Sequence, residues 1–129
     1  MKRRLLLFSI LVMTALALAF SPVLAQDQSL LIWADNERIP LLEPLGEQFE
    51  EEFGIAVEFE QRSLGDARDQ LLVAGPVGEG PDIVLLPHDT IGLLVANDAI
   101  APLDLTGFEE DFQPAALTAV TYEKQIWGL

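Results

Sequence analysis

Three short apolar runs, separated by two stretches of helical period, constrain this chain more than any other feature. Ser29 to Trp33 reads Ser-Leu-Leu-Ile-Trp, long enough for a buried strand. From Ile39 onward, Leu41, Leu42, Leu45, Phe49 and Phe53 recur at helical spacing, with Glu47, Glu50, Glu51 and Glu52 on the other face. Pro44 fits the first turn of that helix, and Gly54 fits its C-cap. Ile55, Val57 and Phe59 then alternate with Ala56, Glu58 and Glu60, as in a strand with one face more buried than the other. Leu64, Ala67, Leu71, Leu72 and Ala74 predict a second helix, opened near Ser63 or Asp66. Gly75 to Asp82 is too rich in glycine and proline for regular structure. Ile83 to Leu86 is a continuous apolar run of the kind found in a central parallel strand.

This β-α-β-α-β order predicts an α/β fold. Three parallel strands, near 30–33, 55–59 and 83–86, should be joined by right-handed crossovers in the spatial order two, one, three, with helices on the faces. Beyond them, Thr90 to Ala96 reads as a short helix and Ile100 to Leu105 as extended. Asp111 to Val120 reads as helical around Pro114. Thr121 to Leu129 reads as strand, turn, strand.

The first 25 residues follow a different logic. Lys2, Arg3 and Arg4 precede an apolar run from Leu5 to Phe20, and Ser21-Pro22 breaks it. Val23-Leu24-Ala25 then places small residues before a cut. This is the order of a cleaved secretory signal helix, with the mature chain beginning at Gln26. Export removes three of the seven basic residues and none of the 21 acids, which leaves the mature part at −17. Such a chain repels phosphate backbones and anionic surfaces, so nucleic acid is excluded as a partner. Cysteine is absent, so no disulfide, thiolate metal site or thiol nucleophile is available. No P-loop occurs and no G-x-G-x-x-G follows the first strand, so nothing points to a nucleotide cofactor.

In an open α/β sheet, ligands bind beyond the carboxyl ends of the strands. Those ends carry Asp35, Asn36, Glu37 and Arg38 after strand one, and Glu60, Gln61, Arg62 and Ser63 after strand two. After strand three come His88, Asp89 and Thr90. Carboxylates accept hydrogen bonds from hydroxyl groups and arginine donates to them, the mixture that a neutral polyhydroxy ligand needs. Two readings stand side by side at this point. The loops form a ligand site, or they are polar only because strand-to-helix loops are polar, with Asp89 capping its helix. His88 reads as a structural histidine, partly buried at a strand end. Trp33 reads as core, and the role of Trp127 is open. A glycosidase pair at Asp35 and Glu37 has no further support.

Several motifs occur together in a familiar order. These are Leu31-Ile32-Trp33, Phe49-Glu50-Glu51-Glu52-Phe53-Gly54-Ile55, Gly80-Pro81-Asp82-Ile83, Pro87-His88-Asp89 and Tyr122 to Leu129. Their order and spacing resemble extracellular solute-binding proteins of ABC sugar importers, most of all the maltose/maltodextrin-binding proteins. The resemblance spans nearly all of residues 29–129. It implies a two-lobe periplasmic-binding-protein fold that closes on a sugar, of which residues 26–129 would be the incomplete N-terminal lobe. It implies an oligosaccharide ligand and the membrane subunits of an ABC importer as partners. It also implies a periplasmic or secreted location, a monomer at full length, no cofactor and no catalysis. Glu37-Arg38 matches the family's acidic-basic pair after strand one, Asp35 lies two positions before it, and Asp89 matches the sugar-binding aspartate after the histidine. Asp66 corresponds to an acid near the start of the second helix. Thr90 stands where the family usually has arginine, and Leu86 where some members have tryptophan, which puts maltodextrin itself in question. Another oligosaccharide or a sugar ester, a secreted glycoside-processing enzyme, and a truncated product without function are the alternatives. Family members continue well beyond position 129.

Overall fold

The computed structural model describes residues 29–129, so the signal segment expected over 1–25 lies outside the described residues. Strand β1 runs from Ser29 to Ala34, helix α1 from Ile39 to Phe53, β2 from Ala56 to Gln61 and helix α2 from Leu64 to Ala74. Strand β3 comprises Ile83–Val84 and helix α3 Ile91–Val95. Helix α4, Pro114–Val120, leads into the hairpin β4, Thr121–Tyr122, and β5, Gln125–Ile126.

The three parallel strands lie in the order β2-β1-β3, as the crossover rule requires. The register pairs Ser29 with Ala56 and Ala34 with Gln61 on one side of β1. On the other side it pairs Ile32 with Ile83 and Trp33 with Val84. Because side chains alternate, Leu31 and Trp33 share one face and Leu30 and Ile32 the other. The first face carries the core, where Trp33, Ala67, Leu71, Leu94 and Ala99 pack together and Leu31, Val84, Leu86 and Ile100 close the edges. Helix α1 covers the second face through β2. The one buried residue of α1 is Gly46. A Cβ there would stand 3.1 Å from the Phe59 ring, so the missing side chain sets how closely helix and strand approach.

The apolar run at 83–86 was a reasonable sign of a strand, but not of its place. β1 is the central strand, and β3 lies at the sheet edge among the described residues, with Ile83 46% exposed. An apolar run reports what covers the two faces of a strand and says nothing about its hydrogen-bonded edges. Pairing also stops early, since Leu85 still donates to the Trp33 carbonyl but Pro87 has no N–H to offer.

Within the Gly-Pro-Asp loop, Asp82 works as an extra rung of the ladder. Its carboxylate accepts from the Leu31 N–H at 2.8 Å, and its own N–H donates to the Leu31 carbonyl at 2.9 Å. The preceding Gly75–Val77 segment is a single 3-10 turn inside the predicted loop.

Two smaller expectations are corrected. Pro44 lies inside α1, because the helix begins at Ile39 and Pro40 takes the first-turn position. Residues 111–120 do not form one helix. Glu109–Asp111 is a separate 3-10 turn, and Phe112 and Gln113 are extended, Gln113 because a residue before proline is driven out of the helical region. The stretch 100–105, expected to be extended, carries a bridge between Leu103 and Ile126. The Gly54 C-cap, with φ 69°, and the Ser63 N-cap stand where the sequence placed them.

Two substitutions test this packing. A Cβ at Gly75 would lie 2.5 Å from the backbone oxygen of Ala99, so Gly75→Ala must displace main chain at the edge of the core. It should destabilise by roughly 1–3 kcal/mol, the usual range for overpacking. Asp82→Ala should cost about 1 kcal/mol through loss of the Leu31 partner, whereas Asp82→Asn, which keeps an acceptor, should cost less. Urea unfolding followed by tryptophan fluorescence measures all three.

Candidate functional site

The three strands end at the same edge of the sheet, and the loops that follow them meet there. Beyond β1, Asp35 organises the turn into α1. One carboxylate oxygen accepts from the backbone N–H groups of Glu37 and Arg38, both at 3.0 Å. The other pairs with the Arg38 guanidinium. The Asp35 carbonyl accepts from the N–H groups of Arg38 and Ile39. Burial opposes the Asp35 charge, but the two backbone donors and the Arg38 guanidinium outweigh it and hold the carboxyl below its ordinary 3.8.

Beyond β2, Ser63 and Asp66 form a reciprocal cap. The Ser63 hydroxyl donates to the Asp66 carboxylate at 2.7 Å and accepts from the Asp66 N–H at 3.2 Å. Arg62 lies over the Trp33 ring at 5.1 Å and donates to Glu60 at 2.9 Å and to Gln70 at 3.1 Å. Trp33 is core, only 5% exposed, and its Nε1 is a buried donor without an acceptor among the described residues. Beyond β3, Thr90 donates its hydroxyl proton to the Pro87 carbonyl at 2.7 Å, which leaves its oxygen free to accept.

A cavity of about 380 Å³ opens at this edge, and Arg38, Leu64, His88, Thr90 and Trp127 help to line it. The Trp127 ring is fixed by a bond from its Nε1 to the Tyr122 carbonyl at 2.9 Å. Of the ligand-binding candidates Asp35, Glu37, Arg38, Asp66, Asp89 and Thr90, Arg38 and Thr90 reach this cavity. Asp35 stands behind Arg38. Glu37 and Asp89 are exposed neighbours of lining residues, and their carboxylates have no hydrogen-bonded partner among the described residues. Asp66 is not brought to the cavity and is occupied by its cap.

His88 is exposed, contrary to the expectation of partial burial. Strand pairing ends before Pro87, and the chain passes into a surface 3-10 turn at His88–Thr90. Sequence reasoning missed Leu64 and left Trp127 open. Each reaches the cavity only through packing, and no local motif marks either. Among the described residues no group of three or more His, Cys, Asp or Glu could hold a metal ion. The arrangement is one half-exposed guanidinium and one hydroxyl on an apolar floor, flanked by free carboxylates. It can exchange hydrogen bonds with an uncharged polar ligand and cover its apolar faces.

Asp35 supplies a pH test. A carboxyl depressed in the folded state stabilises at neutral pH, and that contribution disappears as the pH falls through the ordinary 3.8 and below. Asp35→Asn should therefore narrow the difference in urea midpoint between pH 6 and pH 3. An undiminished difference would assign the acid sensitivity to other carboxylates.

Comparison with known proteins agrees with this architecture. A family profile described as bacterial extracellular solute-binding protein matches residues 45–129. The chain is 23% identical over 106 residues to a galactooligosaccharide-binding protein of Bacillus subtilis (strain 168), covering 81% of this chain and 25% of the relative. It is 31% identical over 78 residues to a maltotriose-binding protein of Pyrococcus abyssi (strain GE5 / Orsay), covering 58% of this chain and 17% of the relative. Among solved structures, it resembles a cyclo/maltodextrin-binding protein complexed with maltotetraose, with a TM-score of 0.73 and 26% identity. That match covers 83% of this chain and 29% of the other. The chain thus spans between 17% and 29% of the length of these relatives. With the parallel β2-β1-β3 sheet and a profile match over most of the described residues, the chain belongs to the family of bacterial extracellular solute-binding proteins.

Proposed function

We propose that this chain is the N-terminal part of the first lobe of an extracellular carbohydrate-binding protein that delivers an oligosaccharide to an ABC importer. In this reading residues 1–25 are a cleaved signal peptide, and residues 26–129 work in the periplasm or outside the cell. The protein binds and releases its ligand without chemical change. The observation that carries the proposal is the cavity at the carboxyl edge of the sheet, where Arg38 and Thr90 meet beside the exposed carboxylates of Glu37 and Asp89. Sugars offer many hydroxyl groups and apolar ring faces, and this edge offers acceptors, a donor and apolar surface in return. Relatives named for binding galactooligosaccharide and maltotriose support the ligand class. A net balance of four basic residues against 21 acids after position 25 disfavours an anionic sugar ester.

Binding is to be measured by titration calorimetry with maltotriose, maltotetraose and galactooligosaccharide. In the full-length protein, Glu37→Ala and Asp89→Ala should each weaken binding by roughly 10- to 150-fold, the worth of one charge-assisted hydrogen bond. Unchanged affinity in both variants would return these residues to a solvated-loop role. The 129-residue chain by itself should bind weakly. A single wall leaves the other side of the ligand in water, and affinity in such pockets comes from enclosing most of the ligand. Micromolar binding by this chain would show that one wall suffices. Turnover of a chromogenic glycoside would favour an enzyme instead.

A further inference from the structure

We propose that Asp35 is a positioning residue, which holds the Arg38 guanidinium at the mouth of the cavity and does not itself touch ligand. The proposal rests on the carbohydrate-binding reading of that cavity and changes the role of one residue within it. An ionised carboxylate offers about four acceptor positions. In Asp35 three of them are taken, by the N–H groups of Glu37 and Arg38 and by the Arg38 guanidinium. Its side chain is 13% exposed, while that of Arg38 is 48% exposed and lines the cavity. The aspartate is therefore covered and has one acceptor position left, and the arginine it holds is presented.

The local geometry explains why the same residue can do both jobs. The two backbone bonds fix the Asp35 carboxylate across the turn into α1, so its second oxygen stands in a set place. An arginine side chain left alone would sample many rotamers, and ordering it on binding would weaken the complex. Anchoring one of its Nη atoms beforehand removes part of that cost and leaves the remaining N–H donors for a ligand. Glu37 shares the turn but lacks these bonds at its carboxylate among the described residues, so it stays available for direct contact.

Asp35→Asn separates the two roles, because asparagine preserves the turn through its own side-chain oxygen but cannot form the ion pair. Carbon- and nitrogen-detected NMR reads rotation of the Arg38 guanidinium about its Nε–Cζ bond. The expected result is rotation faster by roughly two- to fivefold in Asp35→Asn, as for loss of a surface ion pair. The backbone spectrum should be unchanged outside the turn at 34–39. Unchanged rotation would overturn the proposal. The second arm is a double-mutant cycle on maltotriose affinity with Asp35→Asn, Arg38→Ala and both together. The double variant should bind no more weakly than Arg38→Ala alone. A double variant weakened by the product of the two single effects would show that Asp35 contacts the sugar itself, and would overturn the proposal. If the unsubstituted full-length protein binds no oligosaccharide, the carbohydrate reading fails, and the rotation measurement still decides whether Asp35 holds Arg38.

Discussion

The structure depends on β1 being paired along both edges. A strand with two parallel neighbours has its backbone groups satisfied in the sheet, and its side chains are left to organise both faces. β2 supplies six registered partners on one side. On the other side β3 supplies only two, and the ladder is extended by the Asp82 carboxylate and by the Leu85 N–H. Trp33, near the end of β1, then serves as the centre against which α2, α3 and the edge strand close. Because β1 is held in register from both sides, the loop after it starts at a defined point, and Asp35 can build its turn there.

The same arrangement explains why polar residues collect where they do. Glu58 and Glu60 lie in register with Leu31 and Trp33, on the core face of the sheet. That would be unfavourable for a fully covered strand. It is tolerable here because β2 is an edge strand, and because Arg62 ties Glu60 to the rim of the Trp33 ring. Such a contact, with one partner at the surface, is worth on the order of 1 kcal/mol or less. Its importance is geometric, since it fixes a side chain at the point where the loop after β2 turns toward the cavity.

Much of the fold was legible along the chain because its signals are local. Strand-sized apolar runs, helical spacing in 39–53, the Gly54 cap and the Ser63 cap each depend on residues within a few positions of one another. Parallel order followed from the handedness of crossovers, which is also a property of short connections. Errors came where the local signal was ambiguous. Pro44 could sit in a first turn or an interior turn, and only the true start at Ile39 distinguishes them. Glu109–Asp111 and Pro114–Val120 look continuous in composition, yet the residue before Pro114 separates them.

The functional edge divides in the same way. By itself the sequence determined the strand order, the loops that share the carboxyl edge, the acidic character of residues 26–129 and the presence of Arg38 and Thr90 in those loops. It determined these because periodicity, charge and crossover handedness survive any rearrangement of distant parts. Only tertiary structure decided which loop residues meet. It sent Asp66 into a cap and paired Asp35 with Arg38. It left His88 exposed and brought Leu64 and Trp127, far apart in sequence, to one cavity. Those outcomes depend on packing between segments far apart in sequence and on competition among neighbouring hydrogen-bond partners, and neither is encoded in the spacing of residues along a single element.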